Sequence, residues 1–109
     1  MNFLTKLRRR MIANKFKQQH LKIIQFIPHD VFFEILRGHK QQGWEMFPQQ
    51  LSTDSWGDKG KCKLRKGQST LELEWTKTQQ GSLVGLGRIL DSIAKDYELE
   101  SRDKPEYLR

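Results

Sequence analysis

The chain has 109 residues, of which 36% are hydrophobic and 30% charged, and its formal net charge is +7. This length fits one domain, and its 28 Leu, Ile, Val and Phe residues are enough for a small core. No apolar run approaches the roughly 20 residues of a membrane span, and none of signal-peptide length follows the basic N-terminus. The single cysteine, Cys62, excludes an intramolecular disulfide. We therefore expect a cytoplasmic protein with no integral membrane association.

The excess positive charge lies entirely in the N-terminal quarter of the chain. Seven basic residues and no acidic one occur before Asp30, whereas residues 30–109 carry 13 charges of each sign and sum to zero. The seven are Lys6, Arg8, Arg9, Arg10, Lys15, Lys17 and Lys22. Such segregation indicates a neutral body that carries a basic segment.

Residues 2–18 have the periodicity of an amphipathic helix. Its apolar stripe is formed by four residues that fall within about 100° on a helical wheel, namely Phe3, Leu4, Leu7 and Met11. Residues 21–27 are apolar and rich in β-branched side chains, which favours a buried strand that ends at Pro28. The same spacing would also fit a continuation of the first helix, so both alternatives stay open.

A second helix is predicted over residues 29–42. Its apolar face contains Phe32, Ile35, Leu36 and His39, and Gly43 supplies the C-terminal stop. Residues 44–47 then read as a short strand. Residues 48–60 form a polar loop of the longer kind, which is more often functional or mobile than most connections.

The most informative segment predicts a β-hairpin. Residues 61–65 and 70–75 both alternate with period two, and a two-residue turn at Gly67-Gln68 pairs Lys66 with Ser69. In this register Leu64 faces Leu71 and Cys62 faces Leu73, while Lys63 faces Glu72 and Lys61 faces Glu74. Turn chemistry, apolar pairing and charge complementarity agree on one alignment.

A last helix is predicted to begin at the N-cap Ser82. Its apolar arc contains Leu83, Leu86, Leu90, Ile93, Ala94 and Tyr97. The predicted fold class is α+β: a two-layer sandwich in which two amphipathic helices cover one face of an antiparallel-rich sheet of three to four strands, preceded by the basic helix. The expected organisation is a basic N-terminal helix at 1–19, one domain at 20–97, and a polar, flexible tail at 98–109.

The basic helix is the first candidate site. Lys6, Arg8, Arg9, Arg10, Lys15 and Lys17 could neutralise phosphates, with Lys22 extending the patch, which gives salt-dependent attraction to nucleic acid. The same helix could lie on an anionic membrane surface or bind an acidic protein or a second copy of the chain. It could also be an ordinary first helix that buries Phe3, Leu7 and Met11 against the body.

Trp56 is the second candidate, because it is a large aromatic residue in the polar loop 48–60. If exposed, it would anchor a partner, and if buried, it would fix the loop. The lysines of the hairpin are expected to form a salt-bridged solvent face with Glu72 and Glu74, which leaves only Arg65 and Lys66 for a partner.

No residue pattern indicates catalysis, a cofactor or a metal. The glycines at 81, 85 and 87 match neither the dinucleotide nor the Walker spacing and are expected to allow a helix to pack closely on the sheet. His20, His29, His39 and Cys62 lack metal-ligand spacing, and His39 is expected to be a structural histidine. If an anion does bind near these glycines, N–H groups around Ser82 would hold it.

The sequence therefore predicts a small non-enzymatic binding module that engages a polyanion, nucleic acid first, through the basic helix. The alternative is a regulatory or accessory module that binds an acidic protein or a dimer mate and uses loop 48–60 and Trp56.

Overall fold

The computed structural model describes residues 3–47 and 59–105, and it describes side chains from Arg8 onward. Within these ranges, three helices and six strands make an α+β fold, in agreement with the predicted class. The helices are α1 (Phe3–Gln18), α2 (His29–Gln41) and α3 (Gly87–Tyr97). The strands are β1 (Leu21–Ile27), β2 (Glu45–Phe47), β3 (Lys59–Lys66), β4 (Ser69–Thr76), β5 (Gln80–Leu86) and β6 (Ser101–Arg102).

All of these strands join one antiparallel sheet in the order β2-β3-β4-β5-β1-β6. The sheet therefore has six strands in the described residues, more than the three to four expected. Residues 21–27 are a strand and not a continuation of α1. They lie inside the sheet, between β5 and the edge strand β6.

The predicted hairpin is confirmed in every pair. Lys66 pairs with Ser69, Leu64 with Leu71 and Cys62 with Leu73, so all apolar partners share one face. Gly67 has φ +61°, the backbone conformation that a primed two-residue turn requires. β3 begins at Lys59, so Lys59 and Gly60 belong to the sheet and not to the loop predicted at 48–60.

The helix predicted from Ser82 is wrong in its first turn, because residues 82–86 belong to strand β5 and α3 begins only at Gly87. The inward positions of β5 are Gly81, Leu83 and Gly85, so two of three carry no side chain. A Cβ at Gly81 would lie 2.3 Å from the Phe32 ring of α2, and one at Gly85 would lie 2.6 Å from Leu71. The strand alternates in burial while showing almost no alternation in hydrophobicity. The backbone N–H of Ser82 is accordingly not at a helix N-terminus, which removes the anion site considered there.

Helices α2 and α3 cover the same face of the sheet, because β5 meets Phe32 of α2 through Gly81 and Leu90 of α3 through Gly85. The core lies between these two helices and the sheet. It includes seven residues that are at most 1% exposed, namely Ile24, Ile27, Leu64, Leu71, Leu73, Leu83 and Leu90. Phe33 is also buried in the core, although it lies outside the predicted apolar face of α2. Helix α2 ends as expected, with Gly43 at φ +96°.

The segment predicted as a flexible tail at 98–109 contributes to the sheet in its first part. Glu98 adopts a left-handed conformation (φ 56°) that ends α3, and Ser101–Arg102 then pairs with β1 as β6. Pro105 is buried. These contacts place residues up to 105 on the body of the protein.

Candidate functional site

Helix α1 packs on the sheet through a face that the sequence did not predict. Phe16 is only 7% exposed, and Ile12 and Ala13, one turn before it, and Arg9, two turns before it, are half-buried. Met11, a member of the predicted apolar stripe, is 63% exposed and lies about 140° around the helix from Phe16. The side chains of Phe3, Leu4 and Leu7 lie outside the described residues. The described part of α1 is thus held by Phe16, with Met11 in water.

This packing leaves the cations of α1 in solvent. Arg8, Arg10, Lys15 and Lys17 are exposed, and none of them lies within 4.0 Å of a carboxylate in the described part of the chain. Arg9 is half-buried, and the side chain of Lys6 lies outside the described residues. Because no acidic residue precedes Asp30, the positive charge of α1 is not answered within its own segment.

Lys22, expected to extend this patch, instead pairs with α3. Its ammonium group donates to both carboxylate oxygens of Asp91 at 3.0 and 3.2 Å. The hydroxyl of Ser101 donates to the same carboxylate at 2.6 Å. The bonds from Ser101 and Lys22 lower the pKa of Asp91 below its usual value. Through Asp91, Lys22 therefore links β1 to α3 and β6. Its charge is paired with this carboxylate, whereas Lys15 and Lys17 have no described carboxylate partner.

A cleft of about 850 Å³ lies on the sheet face opposite α2 and α3, and we call this the open face. Phe16 of α1 lines the cleft together with Ile23 and Val84, which are cross-strand partners in β1 and β5. Charged side chains of β3 and β4 line it as well, namely Lys61, Lys63, Glu72 and Glu74. The cleft is thus apolar at Phe16, Ile23 and Val84 and charged near the hairpin, and Lys15 of α1 also lines it.

The expected salt-bridged face of the hairpin is present only in part. Lys63 Nζ lies 3.8 Å from Glu72, at the outer limit of an ion pair, and both side chains are more than half exposed. Lys61 stands opposite Glu74 in the register, yet it has no described carboxylate within 4.0 Å. Exposed pairs of this kind contribute little, about 0–1 kcal/mol.

Two exposed aromatic rings line the same cleft. Phe47 of β2 is 39% exposed, and the guanidinium carbon of Arg65 lies 5.7 Å from the centre of its ring. Phe26 of β1 is 51% exposed and has φ +57°. It lies in a β-bulge, because the register shifts between Ile24 and Ile27 and two residues then oppose the single residue Ser82. Bulges of this kind re-aim side chains at sheet margins and binding sites.

The remaining candidates carry no reactive geometry. His39 Nδ1 donates to the Ile35 carbonyl at 2.8 Å, as a structural histidine would. Cys62 is buried in the core, and this burial raises the pKa of its thiol to about 11, so the reactive thiolate is scarce at neutral pH. Among residues 3–47 and 59–105, no three His, Cys, Asp or Glu side chains cluster as metal ligands would.

Trp56 and residues 48–58 lie outside the described residues, so their role as a partner anchor stays a prediction. No helix in the described ranges is long and apolar enough to span a bilayer.

Comparison of the chain with protein-family models, with curated proteins and with solved structures finds no match in any of the three. The case for function accordingly depends on the site itself.

Sequence reasoning found the cations of α1 and missed the open face. Charge counting was enough to locate Arg8, Arg10, Lys15 and Lys17. Phe47 carried a signal in the strand at 44–47, where Met46 and Phe47 point to opposite faces. The sequence gives no sign that Phe26 is exposed, because simple alternation along the strand places it on the same buried face as Ile24. Only the bulge turns it outward.

Proposed function

We propose that the protein is a small non-enzymatic binding module that engages nucleic acid through the basic side chains of α1. The observation that carries this proposal is the exposure of Arg8, Arg10, Lys15 and Lys17 without a described acidic partner. A polyanion would neutralise these charges, and the release of its counterions would drive binding. The free thiol of Cys62 supports placing this module in the reducing cytoplasm.

The packing of α1 supports this assignment over a freely moving basic arm. Phe16 is buried and holds the helix against the body, so the backbone positions of the cations are set before a ligand binds. A helix of 16 residues is about 24 Å long, and it spaces its cations along that length. Such spacing suits the regular charges of a phosphate backbone better than one compact anion.

Salt dependence is the direct test. We expect binding of short DNA and RNA oligonucleotides, followed by fluorescence anisotropy, to weaken with a log–log slope of about −5 for six phosphate contacts to a duplex. Replacing Arg8, Arg10, Lys15 and Lys17 by Gln removes four contacts and should reduce the slope to about −2. Gln has a helix propensity close to that of Arg and Lys, so α1 should persist.

A matched variant controls for net charge. Arg37 and Lys40 of α2 and Arg88 and Lys95 of α3 are also exposed helical cations, but they lie on the opposite side of the sheet from the cleft. Replacing these four by Gln gives the same change in net charge. The proposal requires that this control keep a slope near −5, and an equal loss in both variants would refute a site on α1.

A further inference from the structure

The open face places aromatic rings and charges in a defined order. Phe47, Lys63, Glu72, Val84 and Ile23 form one row across β2, β3, β4, β5 and β1. Lys61, Glu74 and Ser82 form the adjacent row, which ends at the bulge that contains Phe26. Four strand spacings separate β2 from β1, so the two strands that carry these rings lie about 19 Å apart.

We infer that the open face is a platform for single-stranded nucleic acid, whose bases stack on the rings of Phe26 and Phe47. This inference rests on the proposed function and adds the strand type and the residues that select it. Unpaired bases stack on exposed aromatic side chains regardless of sequence, because every base has a π-face. Bases inside a duplex are covered by their neighbours and cannot reach a ring in this way.

Exposure of both rings is costly for the free protein. A phenylalanine that is exposed to this extent forgoes much of the stabilisation that burial of its side chain would give. Phe26 adds backbone strain, because a bulky residue at positive φ is disfavoured. The bulge nevertheless holds the ring at the cleft. An occupant with flat apolar faces would recover the lost burial at both positions.

The charges on either side of the rings suit the same ligand. β3 presents Lys59, Lys61, Lys63 and Arg65 as alternate exposed residues, and Lys15 of α1 lines the opposite side of the cleft. A backbone crossing the sheet would meet cations at both margins. Glu72 and Glu74 stand between them, where carboxylates can accept hydrogen bonds from the exocyclic amino groups of unpaired bases. Arg65 over Phe47 offers a second planar group for stacking.

The test compares single-stranded and duplex oligonucleotides of the same sequence at one salt concentration. The variants are Phe26→Asn, which tolerates the left-handed backbone while removing the ring, and Phe47→Leu, which keeps an apolar side chain without a π-face. We expect each to weaken binding of the single strand by about tenfold, within the range for loss of one stacked base. Duplex binding and the salt slope should not change.

Tyr97→Leu is the matched control, because it removes a partly buried aromatic ring of α3, which packs on the sheet face opposite the open face. Its affinity for the single strand should equal that of the unmodified protein. Unchanged single-strand affinity in both Phe26→Asn and Phe47→Leu would overturn the platform while the function of α1 stood. Equal affinity of the unmodified protein for single-stranded and duplex oligonucleotides would also overturn the platform. Absence of binding to either would refute both the platform and the proposed function of α1.

Discussion

Phe26 combines a bulky side chain with a backbone conformation that usually belongs to glycine. Its neighbours Ile24 and Ile27 are fully buried and pair with β5 on either side of the bulge, so the extra residue between them must leave the regular strand conformation. Left-handed backbone costs about 1–2 kcal/mol for a residue with a Cβ. The two flanking isoleucines hold this conformation, because relaxing it would move at least one of them out of the core.

This local strain makes an unusual order of stabilities. A protein with Gly inside a strand is ordinarily less stable than the same protein with Ala there. At position 26 we expect the opposite: the free energy of unfolding of Phe26→Gly should exceed that of Phe26→Ala by about 1 kcal/mol. Both variants lose the ring, so their difference isolates the backbone. Urea denaturation of the two proteins measures it, and a more stable Ala variant would show that residue 26 does not need positive φ.

At the scale of elements, β5 depends on the absence of two side chains. Phe32 is fully buried and its ring lies where a Cβ at Gly81 would project, so α2 approaches the sheet through this gap. We expect Gly81→Ala to destabilise the protein by about 3 kcal/mol, because neither a buried ring nor a central strand can move far. Thermal or urea denaturation provides the measurement.

Gly38 of α2 is the contrasting position. A Cβ there would meet only the Tyr97 hydroxyl at 3.6 Å, an ordinary contact. Gly38→Ala should therefore raise stability by about 0.5–1 kcal/mol through helix propensity alone. If Gly81→Ala were as well tolerated as Gly38→Ala, the close packing of α2 on β5 would be incorrect.

The same elements show what can be predicted from sequence and what cannot. The β3–β4 register was predictable because apolar side chains, charges and the Gly67 turn all depended on one alignment. Residues 82–86 of β5 were mistaken for a helix because glycines occupy two of the three inward positions of the strand, and Leu83, Leu86 and Leu90 then imitate helical spacing. The inward face of α1 was mistaken because Met11 belongs to a more apolar stripe than Phe16 does, yet Phe16 is the residue of α1 that is buried among those described.

Considered as a whole, the molecule builds its main core without α1, the helix that carries most of the excess positive charge. The main buried cluster runs from Ile24 to Ala94 and includes no residue of α1, which contributes Phe16 to a separate contact on the open face. The excess positive charge and the core are therefore separated along the chain. Binding through α1 should place few demands on the packing of the core.

Removal of residues 1–19 tests this separation. We expect the shortened chain to unfold cooperatively and to lose about 2–3 kcal/mol in free energy of unfolding, because the burial of Phe16 is lost. Circular dichroism during urea denaturation would report both the cooperativity and the midpoint. A shortened chain without a cooperative transition would mean that α1 is part of the folding unit.

The order of the strands also governs how the protein meets copies of itself. In the described part of the sheet, the outermost strands are β2, with three residues, and β6, with two, while the eight-residue strands β3 and β4 lie inside. Unpaired backbone on long edge strands is the usual template for β-aggregation, and short edge strands limit it. β2 pairs with only three residues of β3, so the described backbone from Lys59 to Cys62 is not covered by β2. Under the proposed function, copies would crowd along a polyanion, and the exposed Lys59 and Lys61 on this stretch would then repel a neighbouring copy, as edge lysines do.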